Sequence, residues 1–141
     1  MKERSRSRAW VVQTLYAWET RGAKEEMIVP IMESLAISQR NRFYTSVLVR
    51  VVARNLDAID VVITRNLQNW TFNRLSVIDR NILRTGVAEL LYLDDVPGAI
   101  TIQEMVRLAE RFGTPDSPRF VNGVLDAVLH EVEKGAAAEQ A

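Results

Sequence analysis

Apolar residues recur along this chain at steps of three and four, and that spacing decides what it can fold into. Phe43, Val47, Leu48, Val51, Val52, Leu56, Ile59, Ile63 and Leu67 form the longest such series. No stretch alternates with the period of two that a half-buried strand needs. The expected fold class is therefore all-α, a compact bundle of about six to seven helices. The first helix is expected from near Ser7, with Val11, Val12, Leu15, Tyr16 and Trp18 on its stripe and Gly22 as its stop. A weaker segment over 24–36 is limited by Pro30. The long series from Ser38 is interrupted near Asn55. Trp70 and Phe72, in the connector 69–73, are expected to cap the core.

The next helix is expected from Ser76 to Leu93, with Ser76 and Asp79 spaced as a capping box. Pro97 suits the first position of the following helix, whose buried face carries Ile100, Met105, Leu108, Ala109 and Phe112 before Gly113. Ser117 as N-cap with Pro118 behind it announces the last helix. Inside that helix Asn122 and Gly123 are poor helix formers, which points either to a close backbone approach at Gly123 with Asn122 bonded to a neighbouring loop or to a binding role for this corner. Residues 1–135 read as one domain with a basic arm over 1–8. The tail, 136–141, has nothing to bury and is expected to lack regular structure.

Eighteen cations balance eighteen anions, so a chain that coats nucleic acid along its whole length is excluded, while local patches are not. Fifteen of those cations are arginine, the side chain whose planar fork suits carboxylate and phosphate. With no cysteine and a single histidine, His130, neither a thiolate nor a His-rich metal site can form. No phosphate-binding glycine loop and no base-activated nucleophile stands out, so no enzyme, cofactor or metal is expected. The apolar runs are too short to span a bilayer, and the N-terminus has no long apolar signal region; a cytoplasmic protein without membrane association is expected.

Two places carry candidate binding residues. Lys2, Arg4, Arg6 and Arg8 against Glu3 form a cationic start suited to a phosphate backbone, or simply a solvated tail. As a helix this arm would put Arg4 and Arg8 on one face; as an extended strand, all three arginines on one side. Arg119 falls in the first turn of the last helix, where backbone N–H groups attract anions. Phe120 beside it could stack on an unpaired base or belong to the core. Asp116 suits the same helix N-terminus. Arg80 and Arg84 read as structural, paired with carboxylates such as Glu89 or Glu104.

Three segments together resemble one family. They are Arg4-Ser5-Arg6-Ser7-Arg8-Ala9 with Gln13-Thr14-Leu15-Tyr16; Asn69–Leu75 with Asp79-Arg80-Asn81-Ile82-Leu83-Arg84 and Glu89-Leu90-Leu91; and Val96-Pro97 through Phe112-Gly113 to Phe120-Val121-Asn122-Gly123-Val124-Leu125-Asp126. In this order and spacing they resemble the NusB family of transcription antitermination factors. That resemblance implies two packed helical subdomains and a non-enzymatic function. It implies binding of single-stranded boxA RNA jointly with the ribosomal protein NusE, within an antitermination complex on RNA polymerase, chiefly in ribosomal RNA operons. Residue by residue, it implies RNA contacts at the arginine arm (Arg4, Arg6, Arg8), Asp116 and Phe120, and a NusE-facing surface at Tyr16 and Asp79. The arm is less dense in arginine than the family's usual run, Gln103 stands where asparagine is frequent, and Ala88 where tyrosine is. The rival readings are a helical adaptor without RNA binding, a detached relative of the NusB-like domain of ribosomal RNA cytosine methyltransferases, and self-association as a homodimer.

Overall fold

A computed structural model describes residues 2–140, with side chains for 3–138. Among the described residues seven helices follow one another: α1 (Lys2–Thr20), α2 (Ile28–Ser34), α3 (Gln39–Arg54), α4 (Leu56–Arg65), α5 (Val77–Tyr92), α6 (Gly98–Phe112) and α7 (Ser117–Gln140). Short 3₁₀ turns at Glu25–Met27 and Phe72–Arg74 lead into α2 and α5. Among the described residues there is no strand, and no helix is long and apolar enough to cross a membrane.

The packing centres on α5, which touches α1, α3, α4, α6 and α7. Helices α1 to α3 form one group against it, and α6 with α7 the other. Every residue from Asn81 to Glu89 is buried, so this helix has no solvent face along its middle turns. Gly86 makes that possible: a Cβ there would lie 2.8 Å from Leu125 Cδ1 of α7 and 3.1 Å from Met105 Cγ of α6. Ser76 caps the helix as its spacing predicts, its Oγ accepting from the Asp79 amide at 3.1 Å. The long apolar series breaks at Asn55, whose φ of −122° and ψ of 25° depart from helix and separate α3 from α4.

A central helix buried all round must have its charged side chains neutralised by neighbours. Arg84 Nε and Nη2 donate to the two oxygens of Asp60 on α4, both at 2.8 Å, and Nη1 donates to Glu19 on α1. Arg80 also donates to Glu19, and both guanidiniums stack over the Phe72 ring at 5.5 to 5.7 Å. At the other end Glu89 accepts from Arg8 Nε of α1 at 2.6 Å, from the Tyr44 hydroxyl at 2.8 Å and from Thr101 at 2.8 Å. Arg80 and Arg84 are thus structural, but their partners are Glu19 and Asp60. Glu89 and Glu104 are taken by Arg8 instead.

Other departures have local causes. α1 starts at Lys2 rather than near Ser7, so the basic arm is its first two turns. Trp70 does not cap the core; it is 52% exposed, while Phe72 packs inward under the two arginines. Pro97 is the N-cap of α6 rather than its first residue. The Ser117 hydroxyl is turned back to accept from the Thr114 amide at 3.0 Å, and the Asp116 carbonyl accepts from Phe120 N at 3.1 Å. Gly123 meets nothing within 4 Å, so no close approach explains it. The tail continues α7 as helix to Gln140 with residues 133–138 exposed, held by local propensity rather than burial.

Burial alone would raise the pKa of Glu19, but the Arg80 hydrogen bond and the charges of Arg84 and Arg80 overcome it and hold the carboxyl below its ordinary 4.5. A depressed carboxyl contributes stability that is present above the unfolded-state value and is lost as pH falls through the folded one. Glu19→Gln is expected to cost roughly 2 kcal/mol at neutral pH, less than a fully buried pair because Glu19 is partly exposed. Its stability should then fall less than wild type's as pH drops below 4.5. Thermal melts across that range check both, and parallel pH profiles for the two proteins would refute the assignment.

Candidate nucleic-acid interface

Helical periodicity sorts the arginines of the arm. Counting back along α1 from Leu15 and Val12 by helical steps reaches Arg8, which continues the buried stripe. Its side chain is 3% exposed, bound to Glu89 and, at 3.1 Å, to Glu104 Oε1. Burial opposes its charge, but the Glu89 hydrogen bond and the charges of Glu89 and Glu104 more than compensate, so its pKa rises. Burial and the Glu89 carboxylate likewise push the Tyr44 hydroxyl well above its usual range, keeping it a donor. Arg8 was expected to meet RNA with the arm; in this fold its side chain is turned inward and paired with Glu89 and Glu104, which makes its role in the bundle structural.

Arg4 lies one turn earlier on the same face. It stacks over the Tyr44 ring at 4.5 Å and donates to Asp95 at 3.0 Å, remaining half-exposed. Its hydrogen bond holds the exposed Asp95 carboxyl below the ordinary value. Arg6 points elsewhere, into a groove of about 210 Å³ between α1 and α6 that Arg107 and Arg111 also line. The Lys2 side chain, the remaining cation of the arm, lies outside the described residues.

Asp116 and Phe120 meet in a cleft of about 480 Å³ between the starts of α5 and α7, together with Trp70, Arg74 and Asp79. Trp70 is exposed, and Phe120 is half-buried with its ring packed against the core. Arg119 is exposed but does not line this cleft. Asp79 therefore stands with Asp116 and Phe120, and among the described residues its buried Oδ1 has no hydrogen-bond partner. Tyr16 lies in a separate apolar depression of about 380 Å³ with Val12, Leu35, Ile78 and Phe112. Ile78 and Asp79, adjacent at the start of α5, put the two depressions side by side.

The end of α6 joins all three surfaces. Arg111 lines the cationic groove, Phe112 the Tyr16 depression and Thr114 the aromatic cleft. Such an arrangement can hold a strand by phosphate and by stacking on one side, and an apolar protein surface beside it. Trp70, Arg107 and Arg111 were missed by sequence reasoning. Arg107 and Arg111 carried a legible signal, being four apart on one helix, whereas exposure of Trp70 depends on the 3₁₀ turn that buries Phe72. No group of three or more metal-ligating side chains occurs among the described residues.

Residues 5–130 match the model of the NusB family. The transcription antitermination protein NusB of Nitratiruptor sp. is 39% identical over 137 residues, covering 96% of this chain and 98% of that one. The protein of the same name from Chloroherpeton thalassium is 36% identical over 132 residues, covering 92% of this chain but only 63% of the longer relative. Among solved structures, T. maritima NusB superposes with a TM-score of 0.79 at 36% identity, covering 91% of each chain. A crystal structure of antitermination factors NusB and NusE in complex with dsRNA superposes with a TM-score of 0.82 at 30% identity, covering 93% of this chain and 98% of that chain.

On α7, Asn122 and Gly123 are exposed, and a Cβ at 123 would meet nothing within 4 Å. Gly123→Ala should therefore raise stability by about 1 kcal/mol through helix propensity alone. A thermal melt reads this directly; a lower Tm would mean that α7 needs the glycine after all.

Proposed function

Because this chain belongs to the NusB family, we propose that it is a transcription antitermination factor that binds boxA RNA together with the ribosomal protein NusE. It acts in the cytoplasm on nascent transcripts, chiefly those of ribosomal RNA operons, and helps RNA polymerase read through terminators. The observation that carries this reading is the junction at the end of α6, where a cationic groove, an aromatic cleft and an apolar depression adjoin.

Each surface suits one part of the task. Arg6 and the half-exposed Arg4 supply charge for the backbone of single-stranded RNA, with Lys2 beside them in sequence. Trp70 and Phe120 offer ring faces for unpaired bases, and Asp116 an acceptor for a base amino group. Tyr16 and its apolar surround suit a protein partner, and Asp79, in the adjoining cleft, suits a basic group on that partner. Arg119, exposed one residue before Phe120, adds charge at the rim. A homodimer through the Tyr16 depression would compete with NusE for the same surface.

A boxA RNA titrated with the chain alone and with NusE should bind more tightly in the second case, with affinity falling steeply as salt rises. Arg6→Ala should lower the slope of log affinity against log salt by about 0.7, and Phe120→Ala should weaken binding by ~1–3 kcal/mol. Absence of RNA binding in the presence of NusE would overturn the reading. Intact NusE binding with RNA affinity indifferent to both substitutions would favour the adaptor.

A further inference from the structure

The groove between α1 and α6 gathers more positive charge than its surroundings neutralise. Three guanidiniums line it, from Arg6, Arg107 and Arg111, against one carboxylate, Glu104. That carboxylate is 4% exposed and already committed: its Oε1 accepts from Arg8 and from Ser5. Arg107 reaches the other oxygen at only 3.3 Å, keeping over half of its side chain in solvent. Arg6 and Arg111 have no carboxylate partner among the described residues. Glu110, between the two α6 arginines in sequence, does not line the groove.

Fold requirements account for only part of this. A cation in the last turn complements the α6 dipole, which explains Arg111 alone. Arg107 and Arg111, four apart on one helix, repel each other, and Arg6 adds a third like charge across the groove. Arg111 lies over the Phe112 ring at 4.8 Å, and a stacked guanidinium keeps its N–H edge available for a ligand. On a helix the 107–111 step advances about 6 Å, similar to the separation of successive phosphates along a nucleic acid strand.

We propose that Arg107 and Arg111, with Arg6 facing them, form a phosphodiester site that takes two successive backbone phosphates of single-stranded RNA. The site extends the RNA path from the arm along α6 to the aromatic cleft, since Arg111 and Thr114 line the two in turn. It rests on the RNA-binding reading above and adds two residues that reading does not contain. Phosphate contacts of this kind fix the register of the strand and are indifferent to base sequence.

The full chain with NusE, titrated with one single-stranded boxA RNA over a range of salt, tests this. Arg107→Ala combined with Arg111→Ala should weaken binding about 25-fold at 0.1 M salt and lower the log–log salt slope by about 1.4, the contribution of two phosphates. Arg54→Ala with Arg65→Ala removes the same charge from exposed pairs with Glu25 and Glu131, away from the groove, and should change neither quantity appreciably. Lysine at 107 and 111 should keep most of the slope. Unchanged thermal melts show that the variants fold. Overturning results are a groove variant that binds like the Arg54/Arg65 control, or one that loses NusE affinity instead of RNA affinity. If the wild-type complex binds no RNA, the RNA-binding reading falls and the groove with it.

Discussion

Two clusters of ion pairs run in opposite senses between α1 and α5. Arg8 of the first helix meets Glu89 of the central one, and Glu19 of the first meets Arg84 and Arg80 of the central one. The pairs require the two helices to run antiparallel, and a shift of register or reversal of direction would strand buried charges. Breaking a buried pair by removing one partner typically costs 3–5 kcal/mol, far more than a surface pair contributes. The neighbouring helices complete the same two networks: α3 brings Tyr44, α4 brings Asp60, and α6 brings Thr101 and Glu104.

That constraint divides the arginines. Arg8, Arg80 and Arg84 neutralise carboxylates between the helices and are largely buried in doing so. Among the described residues Arg6 and Arg111 stand without such partners on the outside, and Arg107 keeps only a long contact. Arg4 lies between these classes, held to Tyr44 and Asp95 yet half-exposed. A net charge of zero therefore conceals a separation: Glu19, Asp60, Glu89 and Glu104 are taken by internal pairing around α5, while among the described residues Arg6 and Arg111 stand at the groove without a carboxylate partner.

The helices were legible because the periodicity of Val11, Val12 and Leu15, or of Leu48, Val52, Ile59 and Ile63, is imposed by burial itself. The capping role of Ser76 and the break at Asn55 were legible for equally local reasons. The central place of α5 was less so, since Arg84, Thr85 and Glu89 read as a polar face until their partners are known. Arg8 shows the same difficulty at the site: its charge suggested an outward arm, while its phase with Val12 and Leu15 placed it inside. Asp116 with Phe120 came together as their closeness in sequence suggests. Their company with Trp70 and Asp79 could not be read, because it depends on how the 69–75 connector folds over the start of α7.

The most direct test is Arg8→Gln, followed by its thermal melt and by the salt dependence of RNA binding at a temperature where it remains folded. If Arg8 is the inner half of the α1–α5 pairing, Tm should drop by roughly 10 °C or more, with the salt slope unchanged. A variant that melts like wild type but binds RNA with a shallower slope would contradict this division of the arginines.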